Sequence, residues 1–371
     1  MHISVTPVAS PREMKDFIRL PCTLYRDDPN FTPHLYLERK EFFSPRNPIF
    51  EFMDVNYLLA RDERGRMVGR VTAHTNRRHN EYAKDKVGFF GFFECTEDLE
   101  VARCLMEAVE SWHCERGMTA VRGPLNFSTN EECGFLADGF DTPNAIMMPH
   151  TKRYYLDCME QLGYAPLKDL YALDYHYQGA IPPHIERLSK RVFERTGVTV
   201  RPIDITCFEE DVAKAFRIYN AAWAQNWGFV PMTDAEFRYM AKAMKPVVDP
   251  EVALIVEKDG QPVAFSLSLP DFNILLRKAR GRLLPFGWWH LLFGRRSIHR
   301  VRVITLGVIE QYRRQGMEIL LYYETFRRGL KRGYYSCEMS WILADNVLML
   351  RPMERMGAVR YKTYRIFEKQ L

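Results

Sequence analysis

No two cysteines of this chain stand at C-x-x-C spacing, and the eight present (22, 95, 104, 114, 133, 158, 207 and 337) follow no regular interval. That excludes a disulfide framework and leads us to expect reduced, mostly buried thiols in a cytoplasmic compartment. The ten histidines form no H-x-x-x-H or H-x-H cluster, so no metal is expected. No window approaches the roughly 18 consecutive apolar residues of a membrane-spanning helix. The opening MHISVTPVASPREMKDF lacks a basic stretch followed by an apolar run, so no secretory signal is expected. Between Phe272 and Ile309 there is no Asp or Glu at all.

What is present is the composition of a folded chain: 371 residues, 47% hydrophobic, 13% aromatic and 27% charged. Disorder is excluded over most of it, and the length favours two domains. The net charge of +5 is unevenly placed. The stretch without acids carries Arg277, Lys278, Arg280, Arg282, Arg295, Arg296, Arg300 and Arg302, so the remainder is net negative. A nucleic-acid binder spreads its basic footprint over a domain face, and none is expected as a partner. One basic patch suits a phosphate-bearing cofactor or an anionic lipid surface.

Apolar periodicity and turn residues give the first half an order β-β-β-α-β-α-β, preceded by a helix at about 11–25 with Ser10 as its cap and an irregular Pro- and aromatic-rich stretch to about Phe52. The second half repeats it, with its last helix at 351–356 and its final strand at 360–368. VALIVEKDGQPVAFSLSL (252–269) matches YLLARDERGRMVGRVTAH (57–74), and Gly91 and Gly117 have counterparts 216 residues on in Gly307 and Gly333. Gly163 corresponds to Gly357, 194 residues on, so each half carries an insertion that the other lacks. The expected fold is α/β, an α+β mixed sheet in tandem domains at 1–180 and 181–371. The second domain carries the basic aromatic insertion 274–300.

In the second half a strand at 303–308 runs into Glu310-Gln311-Tyr312-Arg313-Arg314-Gln315-Gly316-Met317-Glu318, where a helix begins. Such an entry points free backbone N–H groups and the positive helix end at one place, a cradle for a pyrophosphate. This stretch resembles the acyl-CoA-binding motif of the GNAT (Gcn5-related N-acetyltransferase) superfamily, [RQ]-x-x-G-x-[GA]. It reads Arg313-Arg314-Gln315-Gly316-Met317-Glu318, with Glu at the sixth position. Asn346 follows Ser340-Trp341, Gly357-Ala358 stands where the family usually has Gly-Phe, and Met353 stands where it often has the Tyr that serves as general acid.

Pro270-Asp271-Phe272-Asn273, the segment 222–231 and the insertion further resemble a family of large tandem bacterial GNAT-like proteins. Some members of that family are implicated in ceramide synthesis, the N-acylation of a sphingoid base. The resemblance implies tandem GNAT-like N-acyltransferase domains that use acyl-CoA or acetyl-CoA as co-substrate. It places the donor on Leu306, Gly307, Val308, Arg313, Arg314, Gln315, Gly316, Met317 and Asn346, with an amine as acceptor.

In the first half the residues matching Arg313, Arg314 and Gly316 are Glu97, Asp98 and Glu100, which repel a pyrophosphate. That copy is expected to complete the fold or shape the acceptor site, and its loop 123–141 either lines a pocket or lies on the surface. Strand 334–341 alternates, placing Ser336, Glu338 and Ser340 on one face. Glu338 and Ser340 are the candidate catalytic residues, Glu338 taking a proton from the attacking ammonium. The competing reading makes Glu338 a salt-bridged strand residue. Cys337 is not expected to be a nucleophile.

In the insertion, Leu283, Leu284, Phe286, Trp288, Trp289, Leu291, Leu292 and Phe293 crowd together between arginines. The segment reads as an interfacial anchor on an anionic membrane, at its inner face, as the mouth of an acyl-chain tunnel, or as a buried packing element. Three functional readings stay open: acylation of a lipid amine, acetylation of a soluble or protein amine, and acyl-CoA binding without turnover.

Overall fold

A computed structural model describes residues 2–179, 181–224, 226–279, 281 and 287–371. Arg280, Arg282, Leu283, Leu284 and Phe286, all named above, lie outside the described residues. The chain forms two compact units, one from Met1–Tyr171, Leu275–Leu292 and Lys362–Leu371, the other from Ala172–Ile274 and Phe293–Tyr361.

The first unit runs β1 (Ser4–Pro7), α1 (Pro11–Leu24), α2 (Tyr36–Phe42), β2 (Met53–Arg61), β3 (Met67–Asn76), α3 (Arg77–Ala83), β4 (Val87–Cys95), α4 (Leu99–Cys114), β5 (Ala120–Gly123), β6 (Phe135–Asp138) and α5 (Tyr154–Gln161). β7 (Ala165–His176) leads into the second unit: α6 (Pro183–Thr196), β8 (Thr199–Pro202), α7 (Phe208–Trp223), α8 (Asp234–Met244), β9 (Ala253–Lys258) and β10 (Gln261–Pro270). After α9 (Asn273–Ala279) and α10 (Gly287–Phe293) come β11 (Arg300–Val308), α11 (Met317–Lys331), β12 (Ser336–Leu343), α12 (Val347–Arg355) and β13 (Val359–Gln370).

The repeated order is present: β2-β3-β4-α4-β5-α5-β7 and β9-β10-β11-α11-β12-α12-β13. Neighbouring strands are antiparallel from β1 to β4 and from β8 to β11, and parallel in β4–β5 and β11–β12. The parallel step is where a helix, α4 or α11, makes the crossover. Strand alternation then sorts the core. Leu58 and Ala60 pack in the cluster holding Leu105 and Val109 of α4, whereas Leu59 packs with Phe17 of α1. In the second unit Leu254 and Val256 meet Leu320 and Leu321 of α11, and Ile255 meets Ile218 of α7. The strands of each unit are thus covered on both faces.

Three local expectations shift. The stretch before Phe52, read as irregular, contains α2. α12 begins at Val347 rather than Arg351, because the Asn346 side chain caps it and Pro352 is accommodated inside the helix. The last strand, read as closing the second half, leaves it: from Lys362 onward β13 belongs to the first unit, where Phe367 pairs Gly123 of β5 and Tyr364 pairs Leu136 of β6.

Candidate active site

β11 and β12 pair over four residues only, Arg300–Val303 with Ser336–Met339. Beyond Val303, β11 stays with β10, through a bulge that skips Ile304 and resumes at Thr305↔Leu267, ending at Val308↔Ala264. A bulge bends its strand, and here it carries β11 away from β12. The Ile309 N–H donates to Val263 O across that ladder at 3.0 Å. By the alternation of an antiparallel strand, the Val308 N–H then points to the opposite edge, the one β12 has left. A ligand with a carbonyl can pair there as a strand would.

The loop 309–316 and the start of α11 continue from this edge. Gly316 has φ 87° and serves as the N-cap, so the first N–H groups of α11, from Met317 and Glu318, open toward the loop. Arg313 is turned inward: its guanidinium donates to Ala222 O (2.7 Å) and lies 3.4 Å from Val308 O, tying the loop to β11 and α7. Arg314 is exposed, and Gln315 Nε2 donates to Gln311 O. Of the two arginines, Arg314 presents its charge outward.

Both glycines of this region are fixed by packing within the protein. A Cβ on Gly307 would come within 2.2 Å of the Trp223 ring, and one on Gly316 within 2.7 Å of Val192. Trp223 of α7, stacked on Tyr219 at 4.8 Å, fills the space a side chain at 307 would need. Gly307→Ala is therefore expected to displace Trp223 at a cost of ~1–3 kcal/mol. A thermal melt checks it, and an unchanged melting temperature would contradict the packing role.

Leu306, Gly307, Val308 and residues 313–317 come together at this edge. Asn346 does something more local, accepting the Met349 N–H at 3.3 Å as the cap of α12. Met353 is buried in the core. Between α11 and the paired part of β11 and β12 lies an apolar cavity of about 70 Å³ lined by Val303, Tyr322, Phe326, Cys337 and Met339 among others. Burial pushes the Cys337 thiol up to about 12, so it is no thiolate near neutrality.

Glu338 is fully buried (0% exposed) and faces Arg302 in the β11–β12 register. The Ser340 hydroxyl donates to one of its oxygens and the Tyr361 hydroxyl to the other. Arg300 and Arg302 lie 3.6 and 3.9 Å from it, Arg302 Nε donates to Ser340 Oγ at 2.8 Å, and Arg300 pairs with Asp174 at 2.5 Å. The geometry is that of a strand carboxylate held in an internal ion-pair network. Arg300 and Arg302, counted above with the basic surface stretch, are its counter-ions. The alternation placed Glu338 and Ser340 on one face, but only the folded sheet supplies Arg300, Arg302, Tyr361 and Asp174.

In the first unit the corresponding edge is closed. The Leu125 N–H donates to Phe90 O at 2.8 Å and the Phe92 N–H to Asn126 Oδ1 at 2.7 Å, so the chain after β5 fills the edge of β4. Asp98 already caps α4, accepting the Glu100 N–H at 2.9 Å. The loop 123–141, left open above between a pocket and the surface, lines a chamber of about 860 Å³ in this unit. Its charged lining comes from α1, the 26–39 segment, β3, β4, the 124–151 region and Arg277 of α9, elements far apart in the sequence.

No family model matches the chain. It is 35% identical to the bacterial ceramide synthase of Caulobacter vibrioides (strain NA1000 / CB15N) over 377 residues, covering 100% of this chain and 98% of that protein. It is 37% identical over 371 residues to protein YghO of Escherichia coli (strain K12), covering 97% and 93%. The fold matches a tandem GNAT protein from the clavulanic acid biosynthesis pathway with TM-score 0.59 at 10% identity, covering 100% of this chain and 98% of that one. The chain belongs to the family of the bacterial ceramide synthase and protein YghO, and its fold is that of a tandem GNAT protein. A GCN5-related N-acetyltransferase from Sphaerobacter thermophilus has the same fold, with TM-score 0.54 at 14% identity over 99% of this chain and 95% of that one. Within this tandem GNAT-like fold the second unit is the one whose β11–β12 edge is open at a cationic helix start.

Proposed function

We propose that the chain transfers a long-chain acyl group from acyl-CoA to the amine of a sphingoid-base-like lipid at an anionic membrane surface. The observation that carries the donor half is the vacated edge of β11, with the Val308 N–H directed to it and the open start of α11 after Arg314. The N–H groups of Met317 and Glu318 suit the pyrophosphate of the donor, and the Val308 N–H suits the oxyanion that forms when the amine attacks the thioester carbonyl. The proton lost by the attacking ammonium needs an acceptor, and Glu338, with both oxygens already engaged, is better placed as a positioning residue.

The lipid half is supported by the full-length likeness to a protein named bacterial ceramide synthase and by α10. Trp288, Trp289 and Phe293 are 41%, 54% and 61% exposed, with Arg295 and Arg296 directly after them. Exposed aromatic rings beside arginines suit headgroup depth. The insertion divides into two parts: Leu275 and Ala279 are buried and Gly281 abuts Pro33, whereas α10 carries the exposed rings. No helix among the described residues is long and apolar enough to cross a membrane.

Thiol release from a long-chain acyl-CoA should depend on added sphingoid base and not on a small soluble amine of equal concentration. Dependence on the soluble amine alone would overturn the lipid reading. The protein should sediment with anionic vesicles and be released by high salt, which screens the arginines. Trp288→Ser with Trp289→Ser should weaken that sedimentation about tenfold or more while leaving the melting temperature unchanged. Unfolding of the double mutant without any vesicle binding by the parent would return the insertion to a packing role.

A further inference from the structure

The chamber of the first unit has the size of a small-molecule site, and its buried charges are matched except one. Arg39 pairs with Glu132 at 2.7 Å, and Asp28 takes both His150 (3.0 Å) and Lys152 (3.4 Å). Arg70 lines the same wall and is only 7% exposed. Its Nη1 donates to Phe17 O at 2.6 Å, its Nε has no partner, and no carboxylate among the described residues lies within ion-pair distance of it. The rings of Phe17 and Phe92 lie against the guanidinium, at 4.9 and 6.0 Å. A buried cation without a counter-ion is costly unless something supplies one.

The carboxyl that acts on it is that of Glu94, the cross-strand partner of Arg70 in the β3–β4 register. It accepts the Tyr155 hydroxyl at 2.8 Å. Burial pushes it up to about 7, with Arg70, the hydroxyls of Tyr25 and Tyr155, and Lys152 opposing. Glu132, buried in the same chamber, is nonetheless drawn down to about 2 by Arg39. At neutral pH Glu94 thus carries a proton much of the time and leaves Arg70 uncompensated.

We infer that the first unit binds a small organic oxyanion in this chamber, its anionic group pairing with Arg70 and an oxygen of the ligand accepting from the Glu94 carboxyl. The pairing is charge-assisted and enclosed, the setting in which guanidinium–oxyanion contacts are strongest. This site is separate from the donor site of the second unit, and it gives the first unit a ligand of its own. Ionised Glu94 competes for Arg70, so affinity falls as pH rises through the Glu94 transition.

Acetate and sulfate, which keep their charge from about pH 6 to about pH 8, are the probes for a carboxylate and a tetrahedral oxyanion. Calorimetry of the full chain should show a saturable site for at least one, with affinity about tenfold weaker at the upper pH. Arg70→Lys should weaken the binding and Arg70→Gln abolish it, while Arg314→Gln leaves it in place. Glu94→Gln should hold the low-pH affinity across the range, which decides the matter if Arg70→Gln does not fold. Absence of binding by both anions, binding that survives in folded Arg70→Gln, binding lost in Arg314→Gln, or an unchanged pH profile in Glu94→Gln would each overturn the assignment. So would saturable binding of ethanolamine, a cation, in place of the anions.

Discussion

Titrated with a long-chain acyl-CoA, the Arg313→Glu, Arg314→Glu protein is expected to show no measurable heat at concentrations that saturate the parent. Two reversals change the charge beside the helix start by four units, from +2 to −2, and a loss of ~3 kcal/mol, about a hundredfold, is the smallest effect consistent with a pyrophosphate there. The two residues contribute differently. Arg313 ties the loop to Val308 and Ala222 by its guanidinium, so Arg313→Glu alone also loosens the loop. Arg314 is exposed, so Arg314→Glu alone isolates the electrostatic part, about tenfold at low salt and less at high salt. Unchanged affinity in the double mutant would remove the donor from this loop. Donor density in the first unit of a soaked crystal would do the same.

Glu338→Ala is expected to destabilise the chain by ~3–5 kcal/mol, since it removes the carboxylate between half-buried Arg300 and the buried guanidinium of Arg302 and leaves a cavity there. Denaturant melts read this directly. Glu338→Gln, which keeps the shape and an acceptor for the Ser340 and Tyr361 hydroxyls, should lose less. For a positioning residue the turnover of Glu338→Gln follows its folded fraction at every pH. A proton acceptor would behave otherwise. Turnover would then fall at unchanged stability, most at neutral pH, and recover at high pH where free amine is abundant. Loss of turnover in a fully stable Glu338→Gln protein would reinstate Glu338 in the chemistry.

Most of the secondary structure was legible because its signals are local. Ser10 three residues before Glu13 marks the start of α1, and the Ser10 hydroxyl does accept the Glu13 N–H, at 3.2 Å. The hairpin was read from its apolar runs and turn, and strand alternation divides Leu58 and Ala60 from Leu59 between the two cores. The 216-residue offset of Gly91 and Gly307 aligned the two halves strand for strand. The start of α12 was misplaced, because Pro352 reads as a breaker while the capping side chain of Asn346 carries no periodic signal.

The sequence alone determined the repeat, the cationic strand–loop–helix entry at 310–318 and the acidic one at 97–100, since each is written in consecutive residues. Only the tertiary structure decided what lies beside them. The resemblance puts Gly307 with the donor, and only the fold shows α7 bringing Trp223 against it. Arg300 and Arg302 read as part of a basic surface until the parallel register sets Arg302 opposite Glu338 and closes both around a buried carboxylate. Arg70 and Glu94, 24 positions apart in the sequence, acquire their meaning from an antiparallel pairing that puts both on one wall of a chamber. Backbone propensity and capping depend on a few neighbouring residues, whereas the burial of a charge and the identity of its counter-ion depend on which strands pair and in what register.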